Sequence, residues 1–283
     1  MTVYLNGSYL PLKEAHVSVM DRGLLFGDGI YEVIRAIRGS LFRMRPHLDR
    51  LENGLHALGI QLPEETIHEI PSIAKALLQK NELLDGEATI YLQVTRGAAL
   101  PRTHTFPDPP VEPTIILTAG SFTPHEALHE QGVDTITVPD VRWARCNLKT
   151  VNLLPNTLAR QRAVEAGVNS AIMIRDGQVT ESPNANIFGV KDGVLYTYPL
   201  TSYILDGITR QLVLSLADRL SIPLREVPIE EIHLHSMDEL FFSGTTTDIQ
   251  PVVEIDGQPV GTGKPGPITR AIQRGYKEEL YSA

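Results

Sequence analysis

Two residues far apart in this chain have side chains suited to carbonyl–amine chemistry. Lys149 stands in Arg142-Trp143-Ala144-Arg145-Cys146-Asn147-Leu148-Lys149-Thr150-Val151-Asn152. A lysine amine can add to a carbonyl carbon and form a Schiff base. Glu181 stands in Val179-Thr180-Glu181-Ser182-Pro183-Asn184-Ala185-Asn186-Ile187-Phe188-Gly189. A carboxylate can hold the nitrogen of a heteroaromatic ring protonated, so that the ring draws in electrons. Neither residue means much alone, because single lysines and hairpin glutamates usually face water. The information lies in the two local wordings occurring in one chain.

The elements that must position them can be read from periodicity. Trp143, Arg145 and Asn147 alternate toward Lys149, which predicts a strand with these side chains on one face. Glu181 follows an Asp176-Gly177 hairpin turn, and Asp192-Gly193 marks another. Residues 3–7 read as a strand and turn, and 29–37 and 39–44 as paired strands joined at Arg38-Gly39. Leu48, Leu51, Leu55 and Leu58 predict a helix over 46–59, with Pro46 in its first turn. A second amphipathic helix is expected over 67–83, and strands over 88–95 and 114–118. The polar, proline-bearing segment 97–113 between those strands is long enough to suggest a functional loop. Helices are expected at 153–166, 208–220 and 267–280. The fold class is α+β, with a smaller N-terminal domain over 1–119, a linker over 120–124 and a larger C-terminal domain over 125–283.

The 283 residues exceed what one hydrophobic core usually serves. A formal net charge of −9 argues against nucleic acid or an anionic membrane as partner, so any anionic small substrate must be captured by locally placed arginines. No apolar run approaches the roughly 18 residues that span a bilayer, and residues 1–12 lack the basic and apolar regions of a secretion signal. A cytoplasmic location is the simplest expectation. Cys146 is the only cysteine, which excludes an internal disulfide and a cysteine-cluster metal site; no metal is expected. His233 and His235 read as structural or solvated.

The wording around Lys149 and Glu181 resembles the fold-type IV pyridoxal phosphate-dependent aminotransferases, and within them the D-amino acid aminotransferase branch. The resemblance runs from about Tyr4 to Tyr276. It implies Lys149 as the Schiff-base lysine and Glu181 as the partner of the pyridine nitrogen in pyridoxal 5′-phosphate. It implies Arg50, in His47-Leu48-Asp49-Arg50-Leu51, as the phosphate arginine, and Leu205 as a residue packed on the pyridine ring. Ile208 and Thr209, in Gly207-Ile208-Thr209-Arg210, open a helix whose amides would face an anion. Thr245, in Gly244-Thr245-Thr246-Thr247, offers further donors. On the substrate side Tyr31, Arg102 and His104 resemble that branch's carboxylate trap; an arginine fork with tyrosine and histidine donors suits a carboxylate. Ser182-Pro183-Asn184-Ala185 departs from a serine-rich version of that loop.

The implied activity is D-amino acid transamination in a homodimer, with small amino acids and 2-oxo acids as partners. Alternatives are a branched-chain L-amino acid aminotransferase, which would lack the Arg-x-His trap, and an aminodeoxychorismate lyase, which Phe26-Gly27-Asp28-Gly29 would suit. A non-catalytic binding protein is the remaining alternative, against which the presence of both Lys149 and Glu181 argues.

Overall fold

The computed structural model describes residues 1–282. The chain forms two compact units: Met1–Thr123 with Leu148–Asn152, and Pro124–Asn147 with Leu153–Ala283.

The first unit is built on a six-stranded antiparallel sheet, in the order Ser8–Pro11, Thr2–Leu5, Thr114–Ser121, Glu87–Thr95, Gly29–Ile37, Ser40–Leu41. Gly29–Ile37 pairs along its whole length with Glu87–Thr95, from Gly29 opposite Thr95 to Ile37 opposite Glu87. Alternation then decides which side chains meet. Ile30, Ile34 and Ala36 enter a core with Leu48, Leu51 and Leu55 of the helix Met44–Leu58 and Ile70, Ala74 and Leu77 of the helix Glu64–Lys80. Burying each of these larger aliphatic side chains stabilises by about 1.5–3 kcal/mol. Gly54 permits the close approach: a Cβ there would lie 3.0 Å from Ile30 Cδ1. The other face of the sheet carries half-buried Tyr31, Val33, Tyr91 and Gln93.

Ser40–Leu41 covers one edge of Gly29–Ile37 only at Ala36 and Ile37. Leu148–Asn152 takes the start of that edge: Tyr31 N–H donates to Lys149 O at 2.9 Å, and Val151 N–H to Gly29 O at 3.1 Å. Unpaired edge amides are what such a segment satisfies. Lys149 thus belongs with the first unit, although it follows residue 125 in sequence.

The second unit holds a ten-stranded mixed sheet. Asn186–Lys191 lies between Val194–Thr197 and Glu239–Gly244, antiparallel to both. Asp248–Ile255, Val133–Pro139 and Ser170–Arg175 continue it with parallel pairings. Phe188 and Phe241 stack on one face, ring centroids 5.0 Å apart, while Ile187, Leu240 and Phe242 enter the core of the other. The Asp176-Gly177 and Asp192-Gly193 turns have both residues at positive φ, as two-residue hairpins require.

Several expectations are corrected. The second strand of the first hairpin is confined to Ser40–Leu41, because Arg43 adopts a left-handed conformation (φ 50°) and starts the helix at Met44. Gly120 and Ser121 are not linker residues but the end of a strand, paired with Thr89 and Ala88. The residues before Lys149 form no strand. Trp143, Arg145 and Asn147 are exposed on irregular backbone; only Cys146 is buried, its thiol donating to Trp143 O at 3.1 Å. Alternation here reflected turns, not a pleat.

Candidate active site

The first unit presents Lys149 over the ring of Tyr31, with Nζ 4.3 Å from the centroid. The Tyr31–Lys149 backbone bond described above fixes this pairing. Tyr31 also stacks on Tyr91, centroids 5.7 Å apart. On the opposite face of the same strand lies Glu32, which is 1% exposed. Arg50 grips it with two parallel bonds, Nε to Oε1 at 2.8 Å and Nη2 to Oε2 at 2.7 Å. His47 Nδ1 lies 2.7 Å from Oε2. Burial pushes the Glu32 carboxyl up, but Arg50 and His47 outweigh it and hold the group down at about 2. Burial keeps His47 below the ordinary imidazole range, against the pull of Glu32. Arg50 is therefore locked by a carboxylate that the sequence reading missed. The available signal was an acidic residue at a core-facing position of a strand.

Arg102 and His104 sit in the long loop and are exposed. Both rest on Phe26: Arg102 Cζ is 4.5 Å from the ring centroid, and the His104 ring centroid is 5.6 Å away.

The second unit presents Glu181, which is 4% exposed. Its Oε1 accepts from the Leu205 backbone N–H at 2.9 Å and from Asn186 Nδ2 at 2.7 Å; its Oε2 accepts from Arg142. A carboxylate has about four acceptor directions, so three donors leave one for a further single N–H. Burial pushes the Glu181 carboxyl up, and the Arg142 guanidinium opposes it. Arg142 is anchored in turn by Asp140, through Nη2 at 2.8 Å and Nε at 3.0 Å. Burial would lower Arg142, but Asp140 and Glu181 raise it and keep it charged. The sequence reading quoted Arg142 and Asn186 without giving either this role. The loop after Glu181 closes on itself: Ser182 Oγ accepts from Ala185 N–H at 3.0 Å, and Pro183 O accepts from Asn156 Nδ2 at 2.7 Å.

Leu205, expected to contribute through its side chain, acts on Glu181 through its amide. Asn186 Nδ2 also donates to Leu205 O at 2.8 Å. Two residues on, Gly207 precedes the helix Ile208–Arg219. A Cβ at 207 would overlap Asn186 Oδ1, so only glycine fits between that amide and the helix. The first intrahelical bond runs from Gln211 N–H to Gly207 O, ahead of which the amides of Ile208 and Thr209 have no helical acceptor. No acidic residue occupies this first turn, so an anion fits it. Thr245 follows the strand Glu239–Gly244, beside the buried Ser243 hydroxyl, which has no hydrogen-bond partner among the described residues. Within this unit the structure joins Glu181, Leu205, Asn186 and the start of the 208–219 helix.

Chemically, one unit offers an amine over a tyrosine ring and, on the opposite face of that strand, an arginine held by a buried carboxylate; the other offers a carboxylate with one acceptor direction left and a helix start whose first amides have no helical acceptor. Residues 29–255 match the family model described as amino-transferase class IV. The chain is 42% identical over 281 residues to a D-alanine aminotransferase of Staphylococcus epidermidis, covering 99% of this chain and 98% of that one. It is similar to the solved branched-chain aminotransferase of Thermoproteus uzoniensis with norvaline, at TM-score 0.89 and 31% identity, covering 98% and 94% of the two chains. The solved branched-chain amino acid aminotransferase of Escherichia coli gives TM-score 0.89 and 28% identity over 98% and 93%. With the match covering most of its length, this chain belongs to the class IV aminotransferases and is a pyridoxal phosphate-dependent enzyme.

Proposed function

We propose that the enzyme moves the amino group of a D-amino acid, such as D-alanine, to a 2-oxo acid such as 2-oxoglutarate or pyruvate. The observation that carries the reading is the seating of Lys149 Nζ over Tyr31, 4.3 Å from its ring centroid. It puts a proton-carrying amine beside a residue assigned to carboxylate capture. The 42% identical relative named D-alanine aminotransferase supports the same assignment.

The residues present fit pyridoxal phosphate. In this reading Arg50, the amides of Ile208 and Thr209, and Thr245 hold its phosphate, Leu205 lies beside the ring, and Glu181 keeps the ring nitrogen protonated. When bound, the cofactor supplies an electron sink for the pair released at the substrate α-carbon. Lys149 Nζ takes the proton from that carbon and delivers it again on the other side of the transfer, as base and then acid. Tyr31, Arg102 and His104 hold the substrate carboxylate, and so decide which enantiomer turns its Cα–H toward Lys149. We take the enzyme to be a cytoplasmic homodimer; sedimentation of the purified protein tests the dimer.

The solved branched-chain neighbours favour a second reading, transamination of L-leucine or L-valine. A panel of D- and L-amino acids against the holoenzyme separates the two. Conversion of the cofactor by D-alanine supports the first reading. A clear preference for L-leucine or L-valine replaces it with the second.

A further inference from the structure

The Phe26-Gly27-Asp28-Gly29 stretch has no part in the reaction as described, yet it sits under the loop that carries Arg102 and His104. Three cationic or aromatic partners meet the Phe26 ring. Arg22 Cζ lies 4.6 Å from its centroid, Arg102 Cζ 4.5 Å, and the His104 ring 5.6 Å. Asp28 fixes what surrounds the ring. It accepts from Arg22 Nε at 2.9 Å and from Arg96 Nε at 2.7 Å. The same Arg22 donates from Nη1 to Thr103 O at 2.8 Å, between the two trap residues. Arg96 is covered by Phe106, its Cζ 3.5 Å from that ring.

The rest of the stretch makes this seat rigid. Gly27, in the left-handed region (φ 68°), ends the short helix Arg22–Phe26. Gly29 starts the strand where a Cβ would come 2.8 Å from Val94 O. At the neck of the loop, Asp21 Oδ2 accepts from Thr95 Oγ1 at 3.0 Å and Thr114 Oγ1 at 2.6 Å, one from each flanking strand. The loop is thus tied at its base by Asp21, at its middle by Arg22, and at its trap residues by Phe26.

From this geometry we infer that Phe26 is a positioning residue for substrate specificity: its ring is the platform that holds Arg102 and His104 in the orientation that captures the substrate carboxylate. An arginine resting on an aromatic face loses rotamer freedom while its N–H groups stay available at the edge of the contact, so less ordering remains to be done when a carboxylate arrives. This inference rests on the carboxylate-trap reading of Arg102 and His104.

The test uses the holoenzyme and its Phe26→Leu and Phe26→Tyr variants. KM and kcat for D-alanine and Ki for propionate, a carboxylate that cannot react, are measured in each. The same measurements follow in an Arg102→Ala/His104→Ala background. Phe26→Leu should raise KM and Ki by roughly three- to thirty-fold, the range of a lost cation–π contact, with kcat within about two-fold. Phe26→Tyr, which keeps the π face, should restore both constants. In the double-alanine background Phe26→Leu should add nothing. The platform is overturned if Phe26→Leu leaves both constants unchanged while Arg102→Ala/His104→Ala raises them. It is equally overturned if the effect of Phe26→Leu persists undiminished in the double-alanine background. If the double-alanine variant itself binds D-alanine and propionate normally, the trap reading fails and takes the platform with it.

Discussion

The backbone N–H of Leu205 donates to Oε1 of Glu181 at 2.9 Å, across 24 positions of sequence. Leu205 is followed by Gly207 and the helix Ile208–Arg219, so one tight connection ties a buried carboxylate to a helix start whose first amides have no helical acceptor. In the proposed reading this one connection would serve both the ring nitrogen and the phosphate of pyridoxal phosphate.

Lys149→Ala should remove the proton carrier. We expect turnover to fall by about 10²–10⁴-fold or more, with loss of the wild-type visible absorbance of bound cofactor. Steady-state kinetics and a spectrum check it; an alanine variant with wild-type values of both refutes the assignment.

Glu181→Gln keeps the shape of the side chain but removes its charge. Single-turnover α-proton removal should slow markedly, while the cofactor still binds through its phosphate. The substitution also leaves the buried Arg142 with one carboxylate partner fewer, and breaking such a pair costs about 3–5 kcal/mol. Stopped-flow absorbance and thermal denaturation read the two effects separately.

Gly207→Ala should weaken cofactor retention without touching Lys149. The new Cβ overlaps Asn186 Oδ1, so either the helix start or the Asn186–Glu181 bond must move. Dialysis followed by the pyridoxal phosphate content of the protein should show faster loss than in wild type.

Arg102→Ala should lower kcat/KM for D-alanine by an amount equivalent to roughly 2–4 kcal/mol, the worth of a charge-assisted carboxylate contact. The spectrum of the bound cofactor should not change. Normal D-alanine kinetics in this variant would leave the reaction standing and remove the trap from its explanation.

Thermal stability should fall with acid in two stages. His47 is held below its ordinary range by burial, so the unfolded chain takes up the proton first. Stability from this group is complete above about pH 6.5 and declines as pH falls below it. Glu32 titrates at about 2 in place of 4.5. Its contribution, on the order of 3 kcal/mol, is complete above 4.5 and is lost as pH falls through about 2. Melting curves from about pH 8 to about pH 2 check this; His47→Gln should flatten the first stage and, by removing one partner of Glu32, also shrink the second.

The sequence by itself determined the family and the chemistry. Lys149, Glu181, Arg50 and the 207–210 helix start lie in short contiguous stretches, and local wording survives without knowledge of the fold. The helices 46–59, 67–83 and 208–220 were legible within a few residues, because apolar side chains recur at the spacing of one helical face. The strand expected before Lys149 was not there, because alternation of exposed residues also arises in irregular turns. What only the tertiary structure decided is which groups share a carboxylate. Glu32 is reached by Arg50 and His47 from a neighbouring helix, and Glu181 by Arg142 from a loop and Asn186 from the start of a strand. Such partners are chosen by distance after the sheets have formed, and sequence separation carries no trace of that distance. The seating of Lys149 against Tyr31 has the same origin: an open edge of Gly29–Ile37 accepts a segment more than a hundred residues later, through backbone hydrogen bonds that any sequence could make.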